Sequence, residues 1–173
     1  MKKLTCEKIV RIIKGKGRLE SELNVKLSIR GKEITIEGSP EDEYVAEKII
    51  DALDFGFPFS TAMLIRDEEY MFETLNIKDY TRRKDVRVIK ARIIGKRGAT
   101  LATFSELTKC HFELKDNKIG IIGDLMHIKN AQDAMIYLIH GSKQSNVYGF
   151  LEKHQPEPVI DLGLKEPKSK KKR

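Results

Sequence analysis

The chain has 173 residues, 40% of them hydrophobic and 34% charged, with no Trp and a net charge of +7. That length suits one ordinary domain or two small ones, and the composition suits a soluble globular protein with a highly solvated surface. No run approaches the ~18 apolar residues of a membrane span, and the Met1-Lys2-Lys3 start lacks a signal-peptide core, so a cytoplasmic chain with no membrane contact is expected.

The elements repeat. In the first unit, Val25 to Ile29 and Lys32 to Ile36 read as the strands of a hairpin, and Lys14-Gly15-Lys16-Gly17 upstream of them as a loop. Ser39 caps a helix from Pro40 to Leu53, with Pro at its first position and Glu41, Asp42 and Glu43 where the helix dipole favours acids. Phe59 to Arg66 is a bridging helix. Tyr70 to Ile77 then reads as a strand, Lys84 to Ile94 as a basic amphipathic helix, Gly95 to Gly98 as a tight break and Ala99 to Leu107 as a second helix. Cys110 to Leu114 and Lys118 to Ile122 are strands joined by an Asp116-Asn117 turn, and a long helix runs from Gly123-Asp124 to about His140. A last helix, Gln144 to Lys153, carries Val147, Tyr148 and Leu151 on one stripe.

A shift of 85 positions superposes Ile34 on Ile119, Ile36 on Ile121, Gly38 on Gly123, Ala46 on Ala131, Leu53 on Leu138 and Gly56 on Gly141. Upstream, Arg11-Ile12-Ile13 matches Arg92-Ile93-Ile94 at a shift of 81. The difference of about one helical turn lies between the two blocks. The second unit has the order β-α-α-β-β-α, and the first is expected to follow it. The fold class is therefore α+β, with each unit a three-stranded sheet packed against helices. The expected boundaries are residues 1–57, 58–155 with the flanking helices, and a disordered tail over 156–173.

The charge is unevenly placed. From Arg82 to Arg97 there are eight bases and one acid, Asp85; from Lys165 to Arg173 there are six bases and one acid. The rest of the chain is net acidic. One-signed clustering of this density points to a polyanion partner.

The loop Gly95-Lys96-Arg97-Gly98 lies between two helices inside that basic segment. Its glycines lack Cβ atoms, so a phosphate backbone can approach, and the amides that open the next helix offer unpaired N–H donors. Lys96 and Arg97 add charge. Ile93 and Ile94 are candidates for an apolar floor under bases, Leu114 for the far wall, and Arg82, Arg83, Arg87, Lys90 and Arg92 for further phosphate contacts. Tyr80 and Tyr148 read as packing residues before stacking platforms.

A Gly-x-x-Gly preceded by two Ile, flanked by helices and followed by α-β-β-α resembles a type I KH domain, here spanning Asp67 to Gly141. The stretches Asp79-Tyr80-Thr81, Arg92 to Gly98, Ile121-Ile122-Gly123-Asp124, Gly141-Ser142 and Val147-Tyr148-Gly149-Phe150-Leu151-Glu152 further resemble the archaeal and eukaryotic "partner of Nob-One" family of tandem-KH ribosome-assembly factors. The resemblance covers nearly all of residues 1–155. It implies two tandem type I KH domains and binding of single-stranded RNA near the 3′ end of small-subunit ribosomal RNA. It also implies work beside a maturation endonuclease or the alpha subunit of translation initiation factor 2. Two positions depart from the pattern. Lys14 occupies the first glycine position of the first unit's loop, which leaves Lys14, Lys16, Gly17 and Arg18 as auxiliary contacts. Gln144 stands where the family's helix would carry His.

The residues offer no catalytic set. There is no P-loop and no Ser/His or Cys/His pairing, and Cys6, Cys110 and the four histidines have no metal-ligand spacing. A non-enzymatic chain without metal or cofactor is expected. The other readings are a KH protein of a messenger-RNA or exosome pathway, and a protein-interaction adaptor.

Overall fold

A computed structural model describes residues 1–155. The basic tail, 165–173, and the disorder expected over 156–173 lie outside the described residues. The elements are β1 (Lys2–Thr5), α1 (Ile9–Leu23), β2 (Lys26–Arg30), β3 (Glu33–Glu37), α2 (Pro40–Phe55), α3 (Phe59–Ala62), β4 (Tyr70–Asn76), α4 (Arg87–Ile94), α5 (Ala99–Thr108), β5 (His111–Lys115), β6 (Lys118–Asp124), α6 (Ile128–Ile139) and α7 (Gln144–Lys153). They form two antiparallel three-stranded sheets of matching order, β1-β3-β2 and β4-β6-β5, with helices packed against each. The architecture is α+β.

The internal repeat is physical. Ile34 and Ile119, Ile36 and Ile121, and Ala46 and Ala131 are all fully buried. Gly56 and Gly141 both take positive φ, +133° and +102°, where α2 and α6 end. Gly38 lies against Val25 and Gly123 against Cys110, and these two contacts are themselves 85 positions apart. Each glycine, just after β3 in the first unit and within β6 in the second, approaches the neighbouring chain so closely that no Cβ fits.

The first unit departs from the expected order. It runs β-α-β-β-α, because Lys14 to Gly17 is not a loop but the middle of the continuous 15-residue helix α1. The physical reason lies at two positions. Lys14 replaces the glycine that turns the chain at residue 95, so nothing there favours left-handed backbone. Gly15 is instead a packing glycine: a Cβ on it would lie 2.6 Å from the Phe59 ring.

In the second unit, α4 begins at Arg87, three residues later than its pattern predicts. Asp85 accepts the Arg87 amide in a turn at 3.0 Å and holds the chain out of the helix until there. Likewise α6 begins at Ile128, because β6 runs on to Asp124, whose carboxylate accepts the Met126 and His127 amides at 3.0 and 2.9 Å.

The units meet across the outer face of the second sheet. β6 is buried on both faces: Ile119 and Ile121 enter the core under α4, α5 and α6, while Ile122 joins the core of the first unit. Phe55 and Phe57, at the end of α2, close over Gly120, where a Cβ would lie 2.7 and 2.8 Å from their rings. Phe72 completes the cluster edge-on, 5.7 Å from each. Lys115 spans the same junction, 2.9 Å from Glu7 and 3.3 Å from Asp54. Burial alone would lower its pKa, but hydrogen bonds to those two carboxylates outweigh burial and raise it.

Cys6 and Cys110 are buried and unpaired, and desolvation pushes both thiols up to about 11. They are small core residues, not reactive ones.

Candidate nucleic-acid interface

The chain reverses between α4 and α5 over four residues. Gly95 ends α4 with φ +73°, Arg97 takes φ +54°, and Gly98 opens α5 with φ +77°. Three positive-φ residues in four make a tight corner that L side chains resist. The backbone closes on itself, with the Gly95 amide donating to Ala91 O at 2.9 Å and the Gly98 amide to Gly95 O at 3.3 Å.

The two glycines do different work. A Cβ on Gly95 would lie 2.1 Å from Thr100 Oγ1 and 2.7 Å from the Thr100 backbone nitrogen, so this position is closed by the protein itself. Nothing lies within 4 Å of a Cβ on Gly98. Only the second glycine therefore leaves open space for a ligand backbone. α5 starts beside it with no side-chain cap and no acid in its first turn. The Gly98 and Ala99 amides are not unpaired as expected but donate to Gly95 O and Lys96 O, so what this end offers a phosphate is the positive end of the helix dipole. Lys96 and Arg97 are exposed on the same corner, and among the described residues no carboxylate pairs with them.

Thr100 is itself held. Gln144, the first residue of α7, donates its side-chain amide to Thr100 Oγ1 at 3.0 Å and to the carbonyl of Arg92 at 3.3 Å. One side chain thus bridges the last turn of α4 and the first turn of α5 behind the loop. Gln144 is singled out in the sequence only as a departure from His. Thr100 carries no sequence signal at all, since its role depends on an approach between residues five apart around a corner.

The structure separates the other candidates. Ile93 is fully buried under the sheet, whereas Ile94 is 40% exposed. The apolar floor is Ile94 alone, and Ile93 is a core residue. The same division holds in the first unit, where Ile12 is buried and Ile13 exposed. Leu114 is half-buried on β5, on the same face as Phe112, whose ring meets Phe104 of α5 edge-on at 6.1 Å; this places it at the wall opposite the helices.

The basic run does not form a single patch. Arg87 is gripped by Asp85 through Nε and Nη2 contacts of 2.8–3.1 Å. The Arg87 hydrogen bonds hold the Asp85 carboxyl down at about 2, and Asp85 in turn raises Arg87. Lys90 is half-buried. Arg92 is turned away from the loop and donates to Ser142 O. Arg82 and Arg83 lie exposed in the segment before α4.

In the first unit, Lys16 lies 3.8 Å from Glu20, and Arg18 bonds Glu22 at 2.6 Å while covering the Phe59 ring. With Gly17 inside a helix, Lys14, Lys16, Gly17 and Arg18 form no phosphate loop. Tyr148 packs edge-on against Phe104 at 5.8 Å, as its helical stripe predicts.

A β-α-α-β-β-α unit with sheet order β4-β6-β5 and an open Gly-x-x-Gly corner defines a type I KH domain, a nucleic-acid-binding class. The family model described as the eukaryotic-type KH domain of type I, second in PNO1, matches residues 71–156. The chain is 29% identical over 147 residues to the KH domain-containing protein MJ0443 of Methanocaldococcus jannaschii, covering 81% of this chain and 65% of that one. It is 34% identical over 136 residues to the RNA-binding protein PNO1 of Oryzias latipes (74% and 56% covered). It is 30% identical over 139 residues to the pre-rRNA-processing protein PNO1 of Saccharomyces cerevisiae (75% and 51%). A solved a/eIF2α–aDim2p–rRNA complex from Pyrococcus horikoshii OT3 contains a chain with the same fold, at a TM-score of 0.80, 24% identity and 88% and 92% coverage. The matched segment is a KH domain of the PNO1 type, and the chain is similar to proteins that carry the PNO1 name. It spans between about half and two thirds of the length of the curated relatives it matches.

Proposed function

We propose that the chain binds single-stranded RNA, with small-subunit ribosomal RNA as its target during ribosome assembly, and that it acts without catalysis. The Gly98 corner carries the reading. It combines an open left-handed glycine, two unpaired cations and the uncapped start of α5 beside the exposed Ile94. Such a site takes the phosphates of about four unstacked nucleotides along the α4–α5 corner, with bases on Ile94 and against Leu114. Lys90 and the loop cations supply the nearby field, while Arg87 is neutralised by Asp85.

The ribosomal assignment is supported by relatives that carry RNA-binding and pre-rRNA-processing names, and by the complex of a similar fold with rRNA. The same complex supports the alpha subunit of initiation factor 2 as a protein partner, and a maturation endonuclease is the second candidate. Residues 1–57 act as a KH-derived unit that has lost its loop and supports residues 58–155, in a tandem arrangement implied by the shared sheet order and the 85-residue repeat.

The test is Lys96→Asp combined with Arg97→Asp. The double variant keeps the wild-type melting curve and loses RNA affinity at least tenfold. Its plot of log-affinity against log-salt flattens by about 0.7 for each phosphate left without its cation. Unchanged affinity at fixed salt overturns the reading. Crosslinking in cells, followed by sequencing of the bound RNA, separates ribosomal from messenger targets.

A further inference from the structure

The basic segment ahead of the loop builds a second site. Between the turn at Tyr80–Arg83, the outer side of α4 and the end of α6 lies a cavity of about 510 Å³. Arg82, Arg83 and Arg92 line it together with the rings of Tyr80 and His140 and the apolar side of Ile139, and no carboxylate does. Among the described residues none of the three guanidinium groups has an acidic partner. The only acid of the segment, Asp85, is taken by Arg87.

Arg92 is preorganised. One of its five N–H groups donates to Ser142 O, which fixes the guanidinium against the wall and leaves the remaining donors free to face an anion. Thr81 steadies the other side, its hydroxyl accepting the Arg83 amide at 3.3 Å.

The cavity is not part of the loop groove. Arg92 and Ile94 are two residues apart on α4, so they point in directions about 200° apart. Ile94 faces the groove, and Arg92 faces the cavity. Three cations gathered in a concave site without a counter-charge call for a bound anion. The Tyr80 and His140 rings beside them, 6.4 Å apart and tilted by 60°, leave no slot between them but offer a ring face on which a planar group attached to the anion can stack.

We propose that this cavity binds one phosphate, with its nucleoside, of an RNA strand whose other end is held at the Gly98 corner. The site rests on the RNA-binding reading above and extends it to two anchor points on opposite sides of α4. A strand of about four nucleotides fills the groove alone, while a longer strand engages both.

The experiment uses the full chain with Arg82→Gln and Arg83→Gln combined; both residues are exposed, and Arg92 is left in place because it also holds Ser142. RNAs of about four and about twelve nucleotides are titrated over a range of salt. The variant keeps its affinity for the short RNA within twofold. For the long RNA its affinity falls about tenfold, and its salt slope flattens by about 1.4, the value for two single-strand phosphates no longer neutralised. An equal fall on both RNAs, or no fall on the long one, overturns the two-anchor site.

Uridine monophosphate probes the cavity independently. Its titration shifts the Tyr80 and His140 ring resonances to saturation in the wild type and not in the double variant. If the wild type bound neither RNA but showed those shifts, the functional reading would fall and the phosphate site would stand. Absence of saturable shifts overturns the site. Shifts with an acidic peptide and none with the nucleotide overturn the nucleotide as its occupant.

Discussion

Thr100 stands where the side chain of residue 95 would be, its Oγ1 only 2.1 Å from the position of a Cβ on Gly95. The hydroxyl that fills this space is held there by Gln144 from a third helix. The loop is therefore open on its outer side, at Gly98, and anchored on its inner side by the protein.

The two loop glycines respond differently to alanine. Gly98→Ala introduces only left-handed strain, about 1–2 kcal/mol, and leaves a folded protein with weakened RNA binding. Gly95 sits at φ +73° and ψ 178°, a region essentially reserved for glycine, so Gly95→Ala meets greater backbone strain as well as the collision with Thr100 and lowers the melting temperature further. Thermal melts of both variants check the order; equal decreases contradict it.

Gln144→Ala removes both bonds behind the loop. The Arg92 carbonyl and the buried Thr100 hydroxyl are left without their shared donor, at about 1–3 kcal/mol, and RNA dissociates faster because the corner is no longer held. Gln144→His retains a ring N–H donor and recovers part of the affinity. Stopped-flow dissociation rates with hydrogen exchange at Gly98 and Ala99 read the effect. Faster dissociation without faster exchange would show that Gln144 touches RNA directly.

Asp85 has a defined pH window. Its folded pKa of about 2 lies below the ordinary value of about 3.9, so the pairing with Arg87 is fully present above the ordinary value and disappears as pH falls through about 2. The Asp85→Asn variant therefore differs from wild type in melting temperature by the same small amount from pH 5 to pH 8, and the difference disappears by pH 2. At neutral pH the variant frees Arg87 and tightens RNA binding severalfold. A measured affinity that falls instead shows that Arg87 needs Asp85 to aim it.

The junction between the units is tested at Gly120 and Phe57. Gly120→Ala forces a methyl group into the Phe55 and Phe57 rings, at about 1–3 kcal/mol. Phe57→Ala empties a fully buried site at about 3–5 kcal/mol. Both variants separate a single cooperative melt into two transitions. Calorimetry of the wild type and the variants shows this, and a wild type that already melts in two steps contradicts it.

Much of this was legible in the chain. Strand and helix periodicity, the 85-residue repeat and the Gly-x-x-Gly between two apolar-faced helices depend on local pattern, and the buried counterparts Ile34 and Ile119 followed from it. Tertiary contacts decided the remainder. Lys14 to Gly17 has the look of a loop, but Phe59 packs on Gly15 and keeps the helix whole. Ile93 and Ile94 are alike in sequence, and only their angular positions on α4 send one to the core and the other to the groove. The basic run is continuous along the chain, yet a helix turns successive side chains by about 100°, so its charges divide between a salt bridge, the loop corner and a cavity on the far side. Local pattern is enough to set a sharp glycine corner at Gly95 to Gly98. Which glycine is open, which hydroxyl and amide hold the corner, and which arginines face it depend on side chains far apart in sequence, brought together when the sheet and helices closed over their core.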